Sequence, residues 1–226
     1  MAHPKPRAGE GKYSPQLYNT YLHAERDDCL VRYLLARGFL APHSNILDFG
    51  AGPGFLADAI CRVLGEPDIT CVESSESMAQ HLSDKQYRVF HSLDAIDETL
   101  RFDVVIMKEV IEHVPNPINI LYAIRRRMNQ GAQIFISTPA GQHRTAHPNP
   151  QNLPAFNTPG HIQCFGERSL ELALRSTGFR DFEFCYVDAF YPDHDESPTA
   201  VDERTRLAYK RFKEGRYPHL TFFGRA

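Results

Sequence analysis

The sequence predicts an α/β protein built on a doubly wound sheet of mostly parallel strands. Two observations support this fold class. Apolar segments of strand length alternate with segments of helical periodicity about every 20 residues, which is typical of parallel strands joined by right-handed helical crossovers. The chain also has 226 residues, 42% of them hydrophobic and 23% charged, so it is long enough to bury a substantial core.

The first half of the chain shows the alternation most clearly. Apolar residues recur at helical spacing from Tyr18 to Arg37, and Gly38 follows as a stop signal. The run NILDF is short and apolar and precedes a glycine cluster, which indicates a buried strand at 45–49, and FLADAICRVL has helical periodicity that ends at Gly65. The elements predicted here are helices at 18–37, Phe55–Leu64 and Ser77–Leu82, and strands at Asn45–Phe49, Asp68–Val72, Gln86–Phe90 and Phe102–Met107.

The second half begins with a predicted helix at Pro117–Met128, because proline is favoured in a first helical turn. The apolar run AQIFIS predicts a fifth strand at Ala132–Ser137, and residues 139–160, with five prolines and no helical period, predict a long loop. The remaining predicted elements are helices at Glu167–Ser176 and Val201–Lys213, and strands at Phe182–Val187 and His219–Phe223. We expect one domain over 1–226, with a cap segment at 1–40 and substrate-side segments at 139–165 and 190–217.

Composition narrows the classes of partner. The chain has 25 Lys and Arg residues against 28 Asp and Glu, a net charge of −3, which argues against nucleic acid as the main partner. No apolar run reaches the length of about 20 residues that a membrane helix needs, and the first residues lack the apolar stretch of a secretory signal. The five cysteines are scattered and form no CxxC pair. We therefore expect reduced thiols and a cytoplasmic protein that is a monomer or a homodimer.

A glycine-rich segment, DFGAGPG at 48–54, lies between the first predicted strand and the following helix. Glycines allow a sharp turn and the close approach of a ligand, and the start of a helix offers unpaired N–H groups. The spacing is GxGxG, whereas dinucleotide sites use GxGxxG. Asp48 also ends the strand, and its charge suits a cofactor with a cationic or amino-acid end better than it suits a pyrophosphate.

Glu73 lies at the end of the next predicted strand, 23 residues after Gly50. A carboxylate at this position can accept hydrogen bonds from both hydroxyls of a ribose. Taken alone, Glu73 would fit better as a surface residue in a turn. In register with Asp48 and the glycines, it predicts ribose binding.

The segments ILDFGAGPG, CVE, FDVVIMKEVIEHVPNP and IFISTP together resemble the class I S-adenosylmethionine-dependent methyltransferases, over about residues 26–188. EHVPNP is similar to the group that includes the ubiquinone-pathway O-methyltransferases. The resemblance implies a Rossmann-like seven-stranded sheet of order 3-2-1-4-5-7-6 whose last strand is antiparallel. It also implies S-adenosylmethionine as cofactor and S-adenosylhomocysteine as product.

The resemblance assigns cofactor contacts residue by residue. The glycines would let the backbone pass the methionine part and the ribose, Asp48 would lie near the amino group, and Glu73 would hold the ribose hydroxyls. Other residues would border the adenine or the methionine part. One or two of the N-terminal tyrosines (Tyr13, Tyr18 and Tyr21) would cover the sulfonium, unless these rings only pack on the edge of the sheet. The implied cofactor residues are Asp48, Gly50, Ala51, Gly52, Gly54, Glu73, Ser74, Met78, Ser92, Leu93, Lys108, Glu109 and Tyr21.

Two of the eleven histidines are candidate catalysts. His113 follows the fourth predicted strand, and the resemblance implies a position near the substrate side. His161 follows the proline-rich loop, where a similar histidine recurs in the related group. An imidazole titrates near neutral pH and can remove the proton of a hydroxyl as the methyl group arrives. Packing or capping by His113, and a structural hydrogen bond by His161, remain the alternatives. A metal held by His143, His147 and His161 is disfavoured, because no carboxylate lies among them.

The sequence thus predicts a methyltransferase that acts on a small molecule, most simply on a hydroxyl oxygen of a sugar, phenol or other secondary metabolite. We expect an aromatic-lined acceptor cleft from Phe156, Phe165, Phe190 and Tyr191, although all four would also fit a core. The alternatives are an N-methyltransferase, an enzyme acting on RNA or protein, and a cofactor-binding subunit without catalysis.

Overall fold

The computed structural model of the protein describes residues 20–139, 141, 160–185 and 219–226. Several sequence-based predictions lie outside these ranges: Tyr13 and Tyr18, His143 and His147, the aromatic residues Phe156, Phe190 and Tyr191, and the predicted helix Val201–Lys213.

Five α-helices lie in the described ranges. Their ends follow ordinary capping rules: Pro117 occupies the first turn of its helix, and the side chain of Asn116 accepts a hydrogen bond from the N–H of Asn119 at 3.2 Å. The helices are α1 (Thr20–Ala36), α2 (Phe55–Leu64), α3 (Glu76–Asp84), α4 (Pro117–Arg126) and α5 (Glu167–Ser176).

Seven strands form one sheet of order β3-β2-β1-β4-β5-β7-β6. Strands β1 to β5 pair in parallel, and β7 runs antiparallel between β5 and β6. The predicted order and the antiparallel last strand are therefore confirmed. The strands are β1 (Asn45–Phe49), β2 (Asp68–Val72), β3 (Arg88–Phe90), β4 (Phe102–Lys108), β5 (Met128–Pro139), β6 (Arg180–Cys185) and β7 (His219–Arg225).

The largest difference from the predicted boundaries lies between α4 and β5. The helix ends at Arg126, and β5 already begins at Met128, where Met128 pairs with Phe102. The ladder then shifts register before it resumes at Gln133 opposite Val104, and Gly131 adopts a φ of +77° in this irregular stretch. A strand with an irregular start loses the apolar alternation by which a sequence reveals it.

Apolar helix faces cover both sides of the sheet. On one side α4 and α5 pack on alternate residues of β1, β4 and β5, and on the other side α1 and α2 pack on the residues between them. Phe165 is 6% exposed and belongs to the first of these cores, so its ring does not form the predicted acceptor cleft. The sheet is therefore buried on both faces, as a doubly wound fold requires.

The strand order reverses between β1 and β4. In an open parallel sheet this point leaves a crevice at the carboxyl ends of the two strands, where ligands bind. The ends of β1, β2 and β4, with the loops that follow them, carry DFGAGPG, Glu73 and the Lys108–His113 segment to this edge.

Two findings bear on the expectations from composition. No helix in the described ranges is long and apolar enough to span a membrane. Cys29, Cys61, Cys71 and Cys164 take no part in a disulfide.

Candidate functional site

The glycine loop after β1 turns through left-handed backbone conformations. Gly50, Gly52 and Gly54 have φ values of +79°, +55° and +82°, which residues with a β-carbon adopt at a cost. The N–H groups of Gly50 and Ala51 donate to the carbonyl of Val72, at 2.8 and 3.1 Å. The loop is thereby fixed to the end of β2, with its remaining backbone facing the crevice.

Two of these glycines are also required by packing. A β-carbon on Gly50 would overlap the side chain of Val110, and one on Gly54 would lie 2.5 Å from Cδ2 of Leu82 in α3. Gly54 therefore lies against α3, whereas Gly50 and Gly52 border the cavities of the crevice.

We expect Gly50→Ala to lower the free energy of unfolding by about 1–3 kcal/mol more than Gly38→Ala does, because overpacking a tight site costs that much. Both positions have positive φ, +79° and +70°, and share the cost of left-handed alanine. No described atom lies within 4 Å of a β-carbon on Gly38, whereas Val110 occupies that space at Gly50. Urea denaturation followed by circular dichroism measures the difference, and equal losses in the two variants would contradict it.

Glu73 joins two loops of the site. Glu73 is only 9% exposed. Its Oε2 accepts a hydrogen bond from the N–H of Gly52 at 2.8 Å, and its Oε1 accepts one from the N–H of Ser75 at 2.7 Å. Each carboxylate oxygen has a second lone pair, so both oxygens can also accept from a ligand. The carboxylate is thus held in a fixed orientation at the end of β2.

Two adjoining cavities lie beside Glu73. One, of about 430 Å³, is bordered by Glu73, Ser74, Met78 and Glu109 and ends at His113. The second, of about 500 Å³, is bordered by residues that include Ser92 and Leu93 and shares Ser74 and His113 with the first. The residues predicted for ribose and adenine are therefore brought together along one crevice.

A smaller cavity, of about 160 Å³, also borders the glycine loop. It is bordered by residues that include Asp27, Asp48, Ala51 and Lys108. Asp48 is 2% exposed, and burial raises its pKa to about 7 against the opposing effect of Lys108, with Asp27 and Glu73 adding to the rise. No described residue gives Oδ2 of Asp48 a hydrogen bond. The cavity therefore offers a buried carboxylate to a cationic group.

Helix α1 contributes a charged residue that the sequence analysis missed. Asp27 is fully buried, and its Oδ1 accepts from the ammonium of Lys108. Nothing in the run HAERDD distinguishes Asp27 from Asp28, which pairs with Arg62 at the surface instead. The ion pair connects α1 to the end of β4.

Glu109 has a φ of +56°, an unusual conformation for a residue other than glycine. Its N–H donates to the carbonyl of Ser137 at 2.9 Å, and its Oε1 accepts from the Ser137 hydroxyl at 2.6 Å. Neighbouring β5 thus holds the residue in place. Strained backbone held this firmly is common at functional sites.

Glu112, His113 and His161 form a cluster, in which His113 borders the two larger cavities of the crevice. The rings of His113 and His161 meet edge to face, with their centroids 4.7 Å apart. Nε2 of His161 lies 4.0 Å from Oε1 of Glu112. Nδ1 of His113 lies 2.8 Å from the carbonyl oxygen of Gly160, and because a carbonyl only accepts, Nδ1 is the protonated nitrogen.

Glu112 is the buried member of this cluster, with 1% exposure. Its Oε2 accepts from the hydroxyl of Thr138 at 3.0 Å. Burial, reinforced by the nearby carboxylate of Glu109, raises the pKa of Glu112 well above its usual range. Its backbone carbonyl accepts from the N–H groups of Ile162 and Gln163, at 3.0 and 3.1 Å, which brings His161 to the cluster.

The structure thus brings His113 and His161 together, although the sequence analysis considered them separately. It did not identify Asp27, Thr138 or the carboxylate of Glu112. Tyr21 lies in α1, where its side chain is outside the description. Of the three histidines weighed as metal ligands, His143 and His147 lie outside the described residues. Among the described residues, Glu112, His113 and His161 have donor atoms that lie within 4.8 Å of one another.

Residues 20–183 match a family described as a methyltransferase domain. The chain is also similar to ubiquinone biosynthesis O-methyltransferases. It is 32% identical to the mitochondrial enzyme of Candida albicans over 104 residues, 42% of this chain and 32% of that one. It is 32% identical to the enzyme of Xanthomonas oryzae pv. oryzae (strain PXO99A) over 114 residues, 47% of each chain. The matches span less than half the length of these relatives.

Solved structures share the fold at low sequence identity. A SAM-dependent methyltransferase from Archaeoglobus fulgidus has a TM-score of 0.61 at 19% identity, over 92% of this chain and all of that one. The plantazolicin methyltransferase BamL, in complex with a triazolic desmethylPZN analog and S-adenosylhomocysteine (SAH), has a TM-score of 0.63 at 11% identity, over 93% and 86%. With the family match over most of its length, this chain belongs to the methyltransferase-domain family, and it shares its fold with solved S-adenosylmethionine-dependent methyltransferases.

Proposed function

We propose that the protein transfers the methyl group of S-adenosylmethionine to a hydroxyl oxygen of a small molecule. The single observation that carries this proposal is the cluster of Glu112, His113 and His161, in which His113 borders both larger cavities of the crevice. A hydroxyl must lose its proton as it is methylated, and His113 borders the space proposed for the acceptor, with His161 and the buried carboxylate of Glu112 beside it.

The cofactor occupies the crevice in an orientation that the cavities suggest. Its ammonium lies by Asp48 in the small cavity, and its ribose hydroxyls donate to Glu73. The adenine extends past Ser74 and Met78 toward Ser92 and Leu93. Lys108 and Glu109 lie beside the methionine part, and the loop of Gly50, Ala51 and Gly52 passes close to the sulfur. This placement directs the methyl group toward His113.

The reaction itself requires little covalent chemistry from the protein. The sulfonium is already activated, so the enzyme has to align the acceptor oxygen with the methyl carbon and to help remove the hydroxyl proton. The oxygen–methyl bond forms as the carbon–sulfur bond breaks, which leaves a neutral thioether. His161, with 9% of its side chain exposed and Glu112 behind it, is the residue on which activation of the hydroxyl depends.

Two further observations favour a small hydroxylated acceptor. The relatives that match at 32% identity are named as O-methyltransferases of ubiquinone biosynthesis. The chain carries a net charge of −3, which does not favour binding to nucleic acid. We also propose that 1–226 forms one domain, since β7, at the end of the chain, lies between β5 and β6.

Binding of the cofactor should depend on pH through Asp48. Burial raises the pKa of Asp48 to about 7 and so favours its protonated carboxyl in the folded protein. The stability that this protonated form gives to the fold is lost as pH rises through 7. The cofactor's ammonium favours the ionised carboxylate instead, so binding releases a proton below pH 7. We expect the dissociation constant of S-adenosylmethionine to fall as pH rises from about 5.5 to about 7.5, below the range in which the cofactor's own amino group titrates.

Calorimetry in two buffers of different ionisation enthalpy measures this proton release. Asp48→Asn should bind more weakly and show a much flatter pH dependence. Lys108, Asp27 and Glu73 remain in that variant, so it separates Asp48 from the charged groups that face it. An equal slope in the wild type and the variant would contradict the assignment.

The proposed reaction is tested by transfer of a labelled methyl group from S-adenosylmethionine into an extract of the source organism, followed by separation by size. Label in the small-molecule fraction, at an oxygen by mass spectrometry, supports the proposal. Label on nitrogen, in RNA or in protein overturns it. Binding of the cofactor without any transfer would instead indicate a subunit without catalysis.

A further inference from the structure

We propose that Glu112, His113 and His161 bind a divalent transition-metal cation, best matched by Zn²⁺, at the acceptor end of the crevice. The role given to this cation below rests on the proposed function, whereas the binding site itself does not. Each residue offers one donor atom, and these atoms lie within 4.8 Å of one another. Small side-chain rotations would bring all three to the distances of about 2.1 Å that zinc ligands adopt.

One carboxylate oxygen of Glu112 is buried without a hydrogen-bond partner among the described residues. Glu112 is 1% exposed, and no residue in the described ranges gives its Oε1 a hydrogen bond. Nε2 of His161 is 4.0 Å from this oxygen, which leaves room for an atom between them. Burying a carboxylate oxygen without a partner is costly, and a cation bound there would remove that cost.

The histidines are oriented as metal ligands usually are. Nδ1 of His113 donates to the carbonyl of Gly160 at 2.8 Å, so the lone pair of the ring is on Nε2. A hydrogen bond from one imidazole nitrogen to a backbone carbonyl commonly fixes the tautomer that binds a metal through the other.

The surroundings of the carboxylate are also fixed. Thr138 donates to Oε2 of Glu112, and the N–H groups of Ile162 and Gln163 hold the backbone carbonyl of Glu112. The segment that carries His161 is therefore attached to the segment that carries the other two ligands. Such outer contacts orient ligands and raise metal affinity.

The donor set indicates the class of ion. Two imidazoles and one carboxylate suit zinc and its first-row neighbours, whereas Mg²⁺ and Ca²⁺ prefer oxygen ligands throughout. Three protein ligands leave a coordination position open, as in catalytic zinc sites. His113 borders both cavities of the crevice, so that open position adjoins the space for the acceptor.

A bound zinc ion would change how the acceptor is activated. A hydroxyl coordinated to zinc has a lowered pKa and loses its proton to solvent water. The resulting oxygen attacks the methyl carbon, the carbon–sulfur bond breaks, and its electron pair stays on sulfur. In this scheme the imidazole of His161 is a ligand and not the proton acceptor, but its loss still removes activation of the hydroxyl.

The test is calorimetric titration of the metal-free, full-length protein with Zn²⁺ alone, with SAH binding measured in parallel to show that each variant is folded. We expect one zinc ion per chain. Glu112→Gln and His161→Ala should each weaken zinc binding by at least about tenfold and leave SAH binding unchanged. The exposed His43 is the matched control, and His43→Ala should bind zinc like the wild type. Cobalt absorption spectra should change in the two cluster variants only.

Several outcomes are decisive. Absence of zinc binding by the wild type, or equal binding by all variants, overturns the site. Undiminished methyl transfer by metal-free protein overturns the role of the cation while the proposed function stands. Zinc binding that depends on Glu112 and His161, without methyl transfer to any hydroxyl, supports the metal site and removes the proposed function.

Discussion

Replacing Glu73 by alanine is expected to weaken binding of S-adenosylmethionine by about 100-fold or more. In the proposed complex the carboxylate accepts from both ribose hydroxyls, and a hydrogen bond to a charged group contributes about 1.5–3 kcal/mol. The carboxylate also holds the N–H groups of Gly52 and Ser75, so its loss frees the loops that border the cofactor. Isothermal titration calorimetry measures the effect directly.

Two further variants make this prediction specific. Glu73→Gln keeps one carbonyl oxygen as an acceptor, so we expect an affinity between those of the wild type and the alanine variant. Glu76, an exposed residue in the first turn of α3, is the matched control, and Glu76→Gln should bind the cofactor normally. Wild-type affinity in Glu73→Ala would show that the ribose lies elsewhere.

The second large effect is expected at His161. His161→Ala should lower turnover by roughly 10²- to 10⁴-fold, which is the usual contribution of a side chain that assists the loss of a proton from the reacting hydroxyl. Binding of the cofactor should survive, because His161 lies beside Glu112 and His113 and not among the residues proposed to hold the ribose. Steady-state rates with an identified acceptor, together with calorimetric binding of SAH, separate the two properties.

The control for this experiment is again His43→Ala, which removes an exposed imidazole far along the chain from the cluster. Turnover by His161→Ala within the range of the control would show that the ring has only a structural role. A parallel loss of SAH binding would mean that His161 supports the fold of the cofactor site instead.

Much of the fold could be predicted from the sequence, because its elements have local signals. The apolar run at 45–49, the glycines after it and the proline at 117 each indicate one element on their own. The strand order followed from a family resemblance, and the observed sheet confirms it. The irregular start of β5 could not be predicted, since it depends on pairing of Met128 with Phe102.

The candidate site was predictable only where its residues follow one another in the chain. The glycine loop and Glu73 follow β1 and β2 directly, so their meeting is a consequence of parallel strand order. Asp27 and Thr138 reach the site through α1 and the end of β5, by contacts that no local pattern encodes. His161 lies in the site because the N–H groups of Ile162 and Gln163 donate to the backbone carbonyl of Glu112, a contact that exists only in the folded chain.

The most direct single measurement is a crystal structure of the protein with SAH bound. We predict that the ribose hydroxyls contact Glu73, the amino group lies near Asp48, the adenine lies beside Met78 and Leu93, and the sulfur faces His113. A cofactor whose ribose does not touch Glu73, or whose sulfur faces away from the cluster of Glu112, His113 and His161, would contradict the proposed site of methyl transfer.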